Sequence, residues 1–235
     1  MVIFTRRPAW GAGKKRLAAE LGELGALRFQ RFANQQLLRR LYGDRRWRTW
    51  VATSPTGHSD WLKGAMSRPQ GRGELGVRLV RVIGGLPKGW VVVIGGDAPG
   101  VHAGDIATAF HSLGAAEAVF GPAPDGGYWL VGLRDASLAA RAFTNVRWSS
   151  PVTLADTVAN LRGRRIAMLR TLEDVDDGAS HARFVQTLTR HLRVDHRSLG
   201  RVGNACRSPV TTQGSWPYQD GACPISRSKL ARTAP

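Results

Sequence analysis

The residues best placed for chemistry stand in VVVIGGDAPG (Val91–Gly100), where a β-branched run ends at Gly95-Gly96 and Asp97 follows at once. Glycines allow a sharp turn and the close approach of a ligand. An aspartate at the end of a buried strand can hold a hard cation such as Mg²⁺ or Mn²⁺, which takes oxygen ligands and shares them with phosphates. It can equally cap the turn Ala98-Pro99-Gly100, and the residues alone leave both readings open. A second segment, RRPAWGAGKKRL (Arg6–Leu17), joins Gly11 and Gly13 to Lys14, Lys15 and Arg16 at the start of a helix. Backbone N–H groups and cations at a helix start suit phosphate, although the spacing is not that of a P-loop and basic loops are commonly just solvated. A third, GPAPDGGYWLVGL (Gly121–Leu133), carries Asp125 in what reads locally as a hairpin turn. A fourth, EDVDDG (Glu173–Gly178), is an acidic cluster suited either to a helix N-terminus or to a second metal-binding carboxylate.

The elements that position these segments follow from periodicity. Strands are expected at Val2–Thr5, Thr49–Thr53, Trp90–Ile94, Glu117–Phe120, Tyr128–Leu133 and Arg165–Leu169. Helices are expected at Ala18–Leu41, with an apolar stripe of Leu21, Leu24, Phe32, Leu37, Leu38 and Leu41, and at Glu74–Ile83, stopped by Gly84-Gly85. Further helices are expected at His102–Leu113, Pro151–Leu161 and Ala179–Leu192. Strand–helix alternation predicts a three-layer α/β/α sandwich with a mostly parallel sheet. Ligands of such sheets sit at the carboxyl ends of the strands, here the loops after Thr5, Ile94 and Leu169.

The chain has 235 residues, 34 of them Lys or Arg against 17 Asp or Glu, a formal net charge of +17. The basic residues are dispersed, with concentrations at Arg39–Arg48 and Arg162–Arg170, and form no aromatic-interleaved stripe. A catalytic domain over residues 1–194 is expected, followed from Asp195 by a disordered basic tail poor in aliphatic residues. Nucleic acid is expected to bind only nonspecifically, through that tail. Cys206 and Cys223 have no metal-ligand spacing and read as free thiols. No run is long and apolar enough to span a membrane, and the start MVIFTRRPAW is no signal peptide, so a cytoplasmic location is expected.

Together the four segments resemble the bacterial glycosyltransferase-like family of the GT-A nucleotide-diphospho-sugar transferase superfamily, which is related to molybdenum-cofactor and phospholactate guanylyltransferases. The family's P-x-x-G-x-x-K-T-R-L loop is matched by Pro8, Gly11, Lys14, Arg16 and Leu17, with Lys15 in the threonine position. Its Q-x-x-G-D-L-G-x-R-M block is matched by Gln70, Gly73, Gly76 and Arg78, with Glu74 for the aspartate. G-x-D-x-P appears as Gly95, Asp97 and Pro99, and G-P-A-x-D-G-G-Y-x-L-x-G is matched in full. RWSSPV (Arg147–Val152) resembles a W-S-T block, and EDVDDG resembles D-x-D-T-x-x-D, with Asp174 and Asp176 kept and Ser180 on the last aspartate. The resemblance covers about residues 2–185.

The resemblance implies a GT-A fold and a transferase that uses Mg²⁺ or Mn²⁺, a nucleotide or nucleotide-sugar substrate and a small-molecule acceptor. It makes Asp97 the principal metal ligand and Asp176 the second. It places Gly11, Gly13, Lys14 and Arg16 at the phosphates, Glu74 and Arg78 near base or ribose, and Asp125 on the acceptor side. Two reactions share these parts: sugar transfer, which the family's usual role favours, and nucleotidyl transfer to a phosphorylated acceptor. A non-enzymatic nucleic-acid-binding protein is the third reading, favoured by charge and opposed by the ordered acidic motifs.

Overall fold

The computed structural model describes residues 1–11, 14–55 and 65–189. Gly13, both cysteines and the segment expected to form a basic tail lie outside the described residues. The chain runs β1 (Val2–Arg6), α1 (Lys15–Leu41), β2 (Trp50–Ser54), β3 (Met66–Pro69), α2 (Leu75–Gly84), β4 (Val91–Gly95) and α3 (Ala103–Leu113). It continues with β5 (Ala118–Pro122), β6 (Tyr128–Leu133), α4 (Leu138–Ala142), α5 (Thr153–Asn160) and β7 (Ile166–Met168). A last helix, α6, covers 178–189.

The strands form one seven-stranded sheet in the order β3-β2-β1-β4-β6-β5-β7. Only β6 opposes its neighbours, pairing antiparallel with β4 (Ile94 opposite Leu130) and with β5 (Phe120 opposite Val131). The expected mostly parallel α/β sandwich is therefore what forms. Alternation along the strands builds two layers of core. Val91 and Val93 join Leu79, Val82, Ile83, Ala139 and Leu161 on the face covered by α2, α4 and α5. Val92 and Ile94 join Leu37, Leu41, Ile106 and Leu113 on the face of α1 and α3. All four β4 side chains are at most 4% exposed, and each such burial stabilises by about 1.5–3 kcal/mol.

Several expectations are corrected. The helix α1 starts at Lys15 and is interrupted at Gly22, where φ is 70° and ψ 162°. That break resets the helical phase, so Leu21, Leu24 and Phe32 of the expected stripe are exposed. Leu17, Ala26, Phe29 and Ala33 supply the buried face instead, packing with Val175 and Phe184. Trp90 lies outside β4 and is half exposed. The short β3 and α4 have no counterpart among the expected elements. At α6 the acidic cluster does cap a helix. Ser180 N–H donates to Asp177 Oδ1 at 2.8 Å, and the Ser180 hydroxyl donates to the same oxygen at 2.7 Å.

Candidate functional site

The carboxyl ends of β1, β3, β4 and β7 share one edge of the sheet with the start of the antiparallel β6, and a cavity of about 690 Å³ opens there. Two glycines fix its walls. A side chain at Gly96 would meet Thr5 Oγ1 and Asn34 Oδ1, so only glycine lets the turn after β4 lie against β1 and α1. At Gly126, where φ is +84°, a Cβ would strike the backbone of Pro151. That close approach seats the Asp125 turn on the start of α5, where Leu154 N–H donates to Gly126 O at 3.0 Å.

Lys14, just before α1, reaches into a group of carboxylates from two strand ends. Its Nζ lies 2.9 Å from Asp97 Oδ2, 3.1 Å from Asp176 Oδ1 and 3.9 Å from Asp174 Oδ2. It also donates to Val175 O at 2.7 Å. The backbone ties the same segments together, since Val175 N–H donates to Asp97 O at 3.0 Å. Burial alone would lower the Lys14 pKa, but Asp97, Asp174 and Asp176 outweigh it and hold the ammonium above the ordinary lysine value. Burial and then the charge of Asp97 push the Asp174 carboxyl up to about 6, against the pull of Lys14. One ammonium thus faces three carboxylates and leaves the group under-neutralised.

Such an oxygen-only, electron-rich donor set fits Mg²⁺ or Mn²⁺. Among the described residues no three acidic, histidine or cysteine side chains lie close enough to enclose an ion unaided. The fit is therefore to a cation that completes its shell with water and phosphate oxygens.

The residues singled out from sequence divide around this cavity. Gly11, Lys14, Arg78, Asp97, Asp125 and Asp176 line it, whereas Arg16 and Glu74 do not. Arg16 is 80% exposed and approaches Asp176 Oδ2 from outside at 3.4 Å. Glu74 is the residue that precedes α2, in extended conformation. Asp125 Oδ1 accepts the Gly127 N–H at 2.9 Å and so braces its own turn at the cavity wall.

Sequence reasoning placed Asp174 in the motif but gave it no site role, although its position two residues before Asp176 was a visible signal. It left out Arg6, and it gave no site role to Gln70 or the Trp148–Ser150 loop, which it matched only as motif residues; all of these line the cavity. Gln70 is 1% exposed and donates from Nε2 to Thr5 O at 2.8 Å and Ala52 O at 2.9 Å. Its oxygen accepts from Arg78 NH1 at 2.7 Å. The loop that carries Trp148 is anchored by Arg147, whose guanidinium donates to both Asp156 oxygens at 2.9 and 2.7 Å.

Residues 34–150 match a family described as an uncharacterized protein conserved in bacteria, DUF2064. No curated protein matches the chain by sequence. Among solved structures, one from Desulfovibrio desulfuricans G20, assigned as a nucleotide-diphospho-sugar transferase, is 26% identical with a TM-score of 0.67, covering 75% of this chain and 81% of that one. A 4-diphosphocytidyl-2C-methyl-D-erythritol synthase from Anaerococcus prevotii DSM 20548 is 10% identical with a TM-score of 0.54, covering 79% and 95%. A CMP:2-keto-3-deoxy-manno-octonic acid synthetase complexed with CTP is 13% identical with a TM-score of 0.51, covering 81% and 99%. These last two are alike in fold. Sheet topology and these matches show that the chain has the α/β fold of GT-A-like nucleotide-diphospho-sugar and nucleotidyl transferases.

Proposed function

We propose that this protein is a metal-dependent glycosyltransferase that moves a sugar from a nucleotide-diphospho-sugar to a small-molecule acceptor. The observation that carries the reading is the convergence of Asp97, Asp174 and Asp176 on Lys14 inside the cavity. Asp97 and Asp176 would hold Mg²⁺ or Mn²⁺, which when bound supplies neutralising charge to the diphosphate. Lys14 would share its ammonium between the carboxylates and phosphate oxygens, with the Gly11 turn beside it. Asp125 has one oxygen committed to Gly127 N–H and the other available to an acceptor. In the transfer, the acceptor hydroxyl oxygen bonds to the anomeric carbon. The bond from that carbon to the β-phosphate oxygen breaks, and the nucleoside diphosphate leaves with the electron pair. Asp125 is placed to orient the hydroxyl or take its proton.

The test is calorimetric titration with nucleoside diphosphates and their sugar-linked forms, with and without Mn²⁺. Metal-dependent binding is expected, weakened at least about a hundredfold, or about 2.7 kcal/mol, by Asp97→Asn and less by Asp125→Asn. Equal affinities for wild type and Asp97→Asn would sink the reading. Nucleotidyl transfer is the second reading, and one observation favours it. The same cavity carries two arginines, Arg6 and Arg78, with no carboxylate at ion-pair distance among the described residues.

A further inference from the structure

Those arginines stand at the end of β1 and on α2, whereas the carboxylates follow β4 and β7. Arg6 is the last residue of β1 and is exposed. Arg78 projects from α2 and is gripped rather than free to swing. Gln70, locked by two backbone carbonyls, accepts from its NH1, and the guanidinium carbon lies 5.7 Å from the Phe4 ring centroid. Its Nε is buried and has no hydrogen-bond partner. Burial and then the charge of Arg6 lower the Arg78 pKa below the usual arginine value.

Many other arginines near chain turns are committed within the fold. Arg46, Arg147, Arg164, Arg170 and Arg183 each pair with a carboxylate. Arg40, Arg134 and Arg141 spend their donors on backbone carbonyls. Arg6 and Arg78 are two like charges on one cavity wall, close enough to disfavour each other, with donors directed at no carboxylate. Such a pair is a vacant counter-charge, and a planar guanidinium fixed in direction matches the oxygens of a phosphate.

We propose that Arg6 and Arg78 form a second anion subsite that binds a phosphate group, separate from the diphosphate held at the Asp97 group. Gln70 is its positioning residue. The proposal rests on the reading of this cavity as the substrate site. The phosphate has two chemical sources, a phosphomonoester on the acceptor or the terminal phosphates of a nucleoside triphosphate.

The experiment is a calorimetric titration of the full chain in EDTA, so that the metal-dependent site is silent. The probes are inorganic phosphate, glycerol 3-phosphate and a nucleoside triphosphate. Arg6→Met and Arg78→Met are compared with wild type and with Arg46→Met, a control outside the cavity. Among the described residues Arg6 donates no side-chain hydrogen bond, so its variant keeps the test sound if Arg78→Met fails to fold. Phosphate is expected to bind wild type and Arg46→Met alike and to lose about tenfold or more in affinity in each cavity variant. Alongside the phosphate loss, a matching loss for glycerol 3-phosphate assigns the subsite to the acceptor, and a matching loss for the triphosphate but not for glycerol 3-phosphate assigns it to the nucleotide. Equal phosphate affinity in wild type and Arg6→Met would overturn the proposal, as would absence of phosphate binding to wild type. Failure of metal-dependent nucleotide binding would instead strike the proposed function and leave this result standing.

Discussion

The two sides of the cavity hold opposite charge and are satisfied to opposite degrees. On the β4–β7 side, one ammonium is shared among three carboxylates, and the excess is negative. On the β1–β3 side, two guanidinium groups have neutral partners at most, and the excess is positive. In the motif loop expected to supply cations for phosphate, Lys14 is paired with aspartates, while Lys15 lines the cavity with no ion pair among the described residues. Further unpaired cations stand on β1 and α2. A cavity with both kinds of excess can take a cation at one side and an anion at the other. The same comparison answers the net charge of +17. Many arginines are internal fasteners, such as Arg134 on the carbonyls that end α3 and Arg141 on that of Asn160 at the end of α5. Fasteners of this kind complement helix dipoles and need no nucleic acid to explain them.

The sharpest way to break the comparison is Lys14→Met. If the ammonium both competes with a metal and serves phosphate, its removal should move two affinities in opposite directions. Mn²⁺ alone should bind about tenfold tighter, because three carboxylates lose their internal counter-ion. A nucleoside diphosphate with Mn²⁺ should bind about tenfold to a hundredfold weaker, the cost of one charge-assisted contact of about 1.5–3 kcal/mol. Calorimetry reads both, and a shift of the two in the same direction would show that the lysine is only a structural tie.

A smaller effect is expected from the cationic side. Gln70→Leu removes the donors to Thr5 O and Ala52 O and the acceptor that grips Arg78. Stripping a buried amide from such a network costs about 1–3 kcal/mol, so the melting temperature should fall by about 2–12 °C for a domain of this size. With Arg78 released, phosphate affinity in EDTA should fall while the Mn²⁺ affinity of the Asp97 side holds. A fall in both would mean that the two sides act as one unit.

Much of this architecture was legible in the sequence, for identifiable reasons. Val91–Ile94 is apolar at every position because both its faces are covered, and such a run announces itself. The strand β3 does not: Met66–Pro69 is short, partly exposed and paired with β2 on one side of the sheet's edge. The phase of α1 was misread because a glycine inside a helical pattern carries no sign of whether the backbone will break there, and Gly22 does break. At the site, spacing placed Asp97 and Asp176, which lie far apart in sequence, at ends of strands sharing one edge. It could not tell that Lys14 would pair with them, nor that Arg16 would remain outside. Those outcomes depend on how the turn before α1 meets the segment after β7, a contact between residues about 160 apart. Gln70 was visible as a motif residue, but its role as the clamp of Arg78 depends on two carbonyls from β1 and β2.

The smallest effect concerns the loop that closes the cavity beside both sides. Trp148, Ser149 and Ser150 line the cavity, and Ser149 sits at φ 55°. Arg147 holds this loop to α5 through Asp156, which accepts its backbone N–H as well as its guanidinium. These bonds, the guanidinium first, depress the Asp156 pKa from 3.8 to about 2. A depressed carboxylate pKa contributes stability that is complete above the unfolded value and is lost as pH falls through the folded one. The contribution should therefore persist at neutral pH and drain away between 3.8 and about 2. Asp156→Asn should change the neutral melting temperature by no more than about 2 °C, because exposed pairs contribute little. Its melting temperature should fall less steeply than that of wild type across the acid window. A second readout separates the loop from the rest of the fold. If acceptor phosphate lies against Ser149 and Ser150, glycerol 3-phosphate affinity in EDTA should weaken in Asp156→Asn by about twofold to threefold, well short of the Arg6→Met loss. Identical acid slopes for the two proteins would show that Thr153, whose hydroxyl donates to Arg147 O and Ser150 O at 2.8 Å each, holds the loop without help from the ion pair.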